Sequence, residues 1–176
     1  GECRGLLRLD LSGNELRDEG AVVVAEVLAE CGALQEIRLS SNKIGFDGGE
    51  RLAEALGDLR GITSLDLGNN QIGNRAVSRL AVGLALCTGL AELDLSRNLV
   101  ADEGVRVLVA ALRECTALLR LDLSKNKVGD DGAGYLVGMR SNCSLLSSLG
   151  AAGNTFGDEA RERLWQALAD SVLLTC

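Results

Sequence analysis

Six asparagines, Asn14, Asn42, Asn70, Asn98, Asn126 and Asn154, follow one another at intervals of 28 residues with no insertion or deletion. A register held through six copies restricts the chain to a stack of equal units, each touching mainly its neighbours. Apolar residues accompany each asparagine at fixed offsets. The first copy has Leu6, Leu9, Leu11 and Leu16; the second, Leu34, Ile37, Leu39 and Ile44; the third, Ile62, Leu65, Leu67 and Ile72. Leu90, Leu93, Leu95 and Val100 repeat the pattern, then Leu118, Leu121, Leu123 and Val128. The sixth copy is looser, with Leu146, Leu149, Ala151 and Phe156. The alternation Leu9-x-Leu11 has period two and places both leucines on one face of a strand. After the asparagine the period becomes helical, as in Val24, Val27, Leu28 and Cys31. One unit cannot bury both apolar faces alone, so stacking must close the core.

This pattern resembles the leucine-rich-repeat signature, and the 28-residue length with room for a full helix resembles the ribonuclease-inhibitor-like subfamily. Similar arrays occur in NOD-like receptors and in the activator of the Ran GTPase. The resemblance implies an α/β solenoid of six strand–helix repeats, with a parallel sheet on a concave face and helices on a convex one. We expect residues 1–176 to form a single leucine-rich-repeat domain and a segment of a longer array, because both ends fall inside a repeat. Glu2 and Cys3 match Glu30 and Cys31, and Leu174 matches Leu146 as the start of a seventh unit. End units of a solenoid expose core unless capped, so end-to-end self-association is expected of the isolated segment. In the last unit Arg161 and Trp165 stand where earlier copies have small or aliphatic residues, and Arg140 interrupts the leucine column. These substitutions suit an approaching terminus; a partner packing there is the alternative.

The function expected of such a surface is protein binding. Residues flanking the strand leucines form a central column, Asp10, Arg38, Asp66, Asp94, Asp122 and Gly150. Lys43, Arg97, Lys125 and Lys127, with Glu15 as the exception, run along the loop side, and Arg8, Glu36, Glu92 and Arg120 along the other. These columns hold seven acids and seven bases, so the concave face is near neutral but zoned. We take these residues as the candidate partner-binding set. Hydrated Asp in a family consensus and a strip awaiting cationic side chains are both open readings of the acids. The net charge of −7 and pI of 4.7 argue against a general nucleic-acid binder. Trp165, Tyr135, Phe46 and Phe156 lie outside the concave positions, so the aromatic anchors usual in tight interfaces are missing from that face.

Catalysis is not expected. The chain has no histidine, and Ser12, Ser40, Ser96 and Ser124 repeat with the turn rather than with any base. A flat row of carboxylates offers few ligands per ion, so no metal site and no cofactor are expected. No run of 18 apolar residues is present to cross a membrane. The resemblance leaves three settings: the sensing array of a receptor, activation of a small GTPase, or a structural part of a cytoskeletal or axonemal assembly. Cys3, Cys31, Cys87, Cys115 and Cys143 share one repeat position, which Leu59 occupies in another copy. A site shared by Cys and Leu reads as a small apolar core position, so free thiols and a cytoplasmic location are expected; a bridge between adjacent coils, such as Cys87 with Cys115, is the alternative. Cys176 is out of register and reads as reactive. Asp18, Asp102, Asp130 and Asp158 are read as N-caps, and Glu19, Asp47, Glu103, Asp131 and Glu159 as first-turn acids favoured by the helix dipole.

Overall fold

The computed structural model describes residues 3–168 and 173–175. Seven three-residue strands form one parallel sheet in chain order: β1 (Arg8–Asp10), β2 (Glu36–Arg38), β3 (Ser64–Asp66), β4 (Glu92–Asp94), β5 (Arg120–Asp122), β6 (Ser148–Gly150) and β7 (Leu173–Thr175). Between them run α1 (Arg17–Leu28), α2 (Phe46–Leu56), α3 (Asn74–Leu84), α4 (Asp102–Leu112), α5 (Asp130–Met139) and α6 (Asp158–Leu168), each packed on the next. The register pairs Leu9 with Ile37, Leu65, Leu93, Leu121 and Leu149 in succession. These side chains and the leucines two residues on meet the apolar helix stripes in one continuous aliphatic core.

The asparagines lock adjacent coils together. Asn98 Nδ2 donates to the carbonyls of Leu67, Leu95 and Ser96, and its Oδ1 accepts from Ile72 N. Leu67 and Ile72 belong to the preceding coil, so one buried amide satisfies the bend of its own unit and backbone groups of the unit before. Asn42, Asn70 and Asn126 repeat this arrangement. At the same bend the residue before each asparagine is left-handed. Gly13 and Gly153 fill this place in the outer coils, and Ser41, Asn69, Arg97 and Lys125 fill it between them.

Three expectations are corrected. The N-caps are Leu16, Gly45, Gly73, Ala101 and Gly129, and none caps its helix with a side chain. Asp102, Asp130 and Asp158 are first helical residues, and Asp18 is the second. Their carboxylates instead reach sideways: Asp18 accepts from Gly45 N and Gly48 N of the next coil, Asp102 from Gly129 N, and Asp130 from Gly157 N. The acids in the first turns keep their favourable place at the positive end of the dipole. Leu174 pairs with Leu149 rather than matching Leu146, because β7 begins five residues after α6 ends, three sooner than the 28-residue period requires. Cys3 and Cys31 are joined in a disulfide, their Cα atoms 5.1 Å apart, since equivalent positions on adjacent coils lie within bridging distance.

Cys87, Cys115 and Cys143 are free and buried. Their thiols donate to the carbonyls of Gly83, Leu84 and Leu112, at 3.5, 3.4 and 3.5 Å respectively. Burial raises the pKa of all three, and Cys115, with thiols on either side, is pushed up to about 12. Glu2 and Cys176 lie outside the described residues. Trp165 is 53% exposed on the outer side of α6, and Arg161 beside it pairs with Asp158 at 2.6 Å. Arg140 reaches across to the carbonyl of Ala167 at the end of α6.

Candidate functional site

Pairing in register converts the 28-residue columns into rows across the sheet, where neighbouring strands lie about 4.8 Å apart. Asp66, Asp94 and Asp122 become direct neighbours, with Arg38 beside Asp66 and Gly150 beside Asp122. Together with Glu92 and Arg120 they line a shallow hollow of about 470 Å³ on the face opposite the helices. Arg38 turns away from Asp66, contacting Glu36 at 2.5 Å and Asp10 at 3.8 Å, while Arg8 meets Glu36 and Arg120 lies 3.9 Å from Glu92. Among the described residues Asp66, Asp94 and Asp122 therefore have no ion-pair partner.

Each acid of the column has a local role that its spacing does not reveal. Oδ1 of Asp10, Asp66, Asp94 and Asp122 accepts the N–H two residues on, at 3.0, 2.9, 2.7 and 2.8 Å, and so closes the end of its strand. This turn bond, together with Arg38, lowers the pKa of Asp10. Asp94 moves the other way. Burial raises its pKa, the Ser96 hydrogen bonds oppose the shift, and Asp122 and Asp66 add to it from either side. Two glycines make room for this crowd. A Cβ at Gly68 would come within 3.1 Å of Asp94 Oδ1 and 3.2 Å of Asp66 Oδ1, and one at Gly150 would collide with the Asp122 carboxylate. The signal in the sequence was the interruption of the serine column at Gly68 and of the Asp column at Gly150.

The basic residues form a separate rim on the loop side. Lys43 is held by Glu15 at 2.7 Å. Arg97, Lys125 and Lys127 are exposed and make no ion pair among the described residues. Among these residues no group of three His, Cys, Asp or Glu side chains is arranged to hold a metal ion, and no helix is long and apolar enough to cross a membrane.

A one-directional stack of short parallel strands and outer helices, stitched by an asparagine ladder, defines a leucine-rich-repeat solenoid. The chain belongs to the leucine-rich-repeat family: that family's model matches residues 2–25, 33–53, 62–81, 87–109 and 114–137, more than half of the chain. No curated protein matches the sequence. Among solved structures, an internalin from Listeria monocytogenes is 18% identical with a TM-score of 0.53, the match covering 85% of this chain and 43% of the internalin. The second actin-binding site of leiomodin-1 is 17% identical with a TM-score of 0.62, covering 95% of this chain and 90% of that one. This chain thus spans less than half of the internalin and most of the leiomodin segment, and both likenesses are of fold.

Proposed function

We propose that this chain is a non-catalytic protein-interaction segment that takes a partner on its concave face, with Asp66, Asp94 and Asp122 receiving cationic side chains. The observation that carries this reading is the row of three carboxylates without counter-charge, the central one raised in pKa by burial and by its two neighbours. A guanidinium or ammonium group placed over the row would remove that repulsion, and the hollow leaves it space. Arg8, Glu36, Arg38, Glu92 and Arg120 flank the row and would set the orientation of the partner. The ribonuclease-inhibitor-like assignment is supported by the 28-residue period and by helices of 10 to 12 residues in every coil. A cytoplasmic setting is supported by the three buried free thiols, and the Cys3–Cys31 disulfide speaks for an oxidising one. Counting free thiols in protein trapped with an alkylating reagent at lysis decides between them.

The test is affinity capture from a lysate of the source organism, wild type beside Asp66/Asp94/Asp122→Ser, with mass-spectrometric identification. A protein retained by the wild type and lost by the variant supports the concave row. Identical retention by both sinks it. A second reading, a structural part of a cytoskeletal assembly, draws on the leiomodin-1 segment, an actin-binding site in that protein matched over most of its length. Co-sedimentation with actin filaments tests it directly. A GTPase activator, another of the three settings, would raise GTP turnover by its partner.

A further inference from the structure

We propose that Arg97, Leu99, Lys125 and Lys127 form a docking surface for an acidic segment of a partner protein. This rests on the reading of the chain as an interaction module and adds a second, oppositely charged surface to it.

The first observation is the selective absence of counter-charge. Elsewhere on this face the cations are neutralised from within the fold, Lys43 by Glu15, Arg38 by Glu36 and Arg120 by Glu92. In coils four and five three cations come together and none is paired among the described residues. The nearby helix-start acids are directed elsewhere, with Asp102 accepting from Gly129 N and Asp130 from Gly157 N.

The second observation is backbone conformation. Arg97 and Lys125 hold φ of 54° and 56°, in the left-handed region that disfavours side chains. Gly13, Gly153 and Asn69 fill the same place with residues that tolerate it, and Ser41 with a short side chain. Stability alone would favour glycine or asparagine at 97 and 125, so two long cations there are unexplained by the fold.

The third observation is rigidity. The N–H groups of Arg97, Lys125, Leu99 and Lys127 bond across coils to Ser124, Ala152, Ile72 and Val100, at 2.7, 2.7, 2.9 and 2.8 Å. The side chains are therefore presented from a fixed backbone, which lowers the ordering cost of binding. Leu99, 44% exposed, lies among the cations and supplies an apolar contact. Cations one coil apart around a leucine fit a segment of glutamates or aspartates flanking an apolar residue. The overall negative charge of the chain speaks against nucleic acid as the occupant.

The probe is a fluorescein-labelled peptide of alternating Glu-Glu and Leu, beside its all-Gln counterpart, read by anisotropy at low and high salt. The acidic peptide should bind about tenfold more tightly than the Gln peptide, as two or three exposed ion pairs would give, and the difference should fade with salt. The variant Arg97→Gly/Lys125→Gly should lose that difference while melting no lower than wild type, because glycine suits both positions. Lys43→Gln, which removes a cation already paired, should leave it unchanged. No acidic preference in the wild type, or a preference that survives in the double-glycine variant, overturns the proposal. Loss of peptide binding in Asp66/Asp94/Asp122→Ser but not in the double-glycine variant also overturns it, while the concave-row reading stands or falls on its own capture assay. Tighter binding of a single-stranded RNA oligonucleotide than of the peptide overturns it in favour of nucleic acid.

Discussion

Replacing Asn98 by alanine isolates what the asparagine ladder does for the stack. The side chain is 5% exposed and makes four hydrogen bonds. Three of them end on carbonyls that keep another donor: Leu67 O receives Asn70 Nδ2, Leu95 O receives Asn126 Nδ2, and Ser96 O receives Asn69 N. The fourth is different. Ile72 N donates to Asn98 Oδ1 alone, and Ile72 is fully buried. Its orphaned N–H costs about 1–3 kcal/mol, and the three shared bonds add about 0.5 kcal/mol each at the low end of their range. The total is about 2.5–4.5 kcal/mol. Asn14→Ala is the internal control. Asn14 is exposed, and its Nδ2 bonds only to Leu11 and Ser12 of its own turn, so about 1 kcal/mol or less is expected. Urea unfolding followed by far-ultraviolet circular dichroism gives both values, and equal slopes show that the same amount of structure is lost. Amide exchange at Ile72 should accelerate more than at Leu39, two coils away from the altered residue. Equal costs for the two variants, or a cost below about 1 kcal/mol at Asn98, would refute the claim that the ladder holds the coils by satisfying buried backbone groups.

Three further outcomes are expected. Asp94→Asn keeps an acceptor for Ser96 N and removes the crowded charge. A carboxyl whose pKa is raised on folding favours the fold below its ordinary 3.8 and loses that contribution as pH rises through the folded value, so the variant should exceed wild type in stability at neutral pH. The margin should shrink as unfolding is measured at progressively lower pH. Asp18→Ala removes the bonds to Gly45 N and Gly48 N and should cost about 1–2 kcal/mol, with loss of exchange protection in α2 rather than in α1. Cys87, Cys115 and Cys143, buried and raised in pKa, should resist a thiol reagent in the native state and react only as urea unfolds the array; rapid native labelling would mean that the helical layer opens locally.

How much of this was legible in the sequence follows from what a period can express. The 28-residue repeat carried the strands, the helices, the core columns and the register of the concave face, because residues with the same offset must become neighbours in a stack. Asp66, Asp94 and Asp122 are adjacent for that reason. The bonds hidden from the sequence run sideways between different offsets. Asp18 looked like the cap of its own helix because caps are assigned along a chain, yet its carboxylate serves the helix one coil later. The turn bonds of the Asp column, where Oδ1 meets an N–H two residues on, lie within one turn, and a 28-residue period does not express them either.

The cysteines show the reverse case, in which adjacency was legible and its consequence was not. Five of them share one offset, so every successive pair is brought close, and Leu59 alone separates Cys31 from Cys87. Equivalence of position predicted equivalence of state. Yet Cys3 and Cys31 are bridged, while Cys87, Cys115 and Cys143, stacked by the same geometry, keep their protons and bond to helix carbonyls. The differing surroundings lie outside the repeat itself. Cys3 is partly exposed, whereas Cys87, Cys115 and Cys143 are buried. The bridge ties two positions 28 residues apart, so it closes a loop of one repeat and restricts the unfolded chain accordingly. Residues at one offset are therefore made neighbours by the repeat, while whether a given pair is bridged is set by each pair and not by the offset.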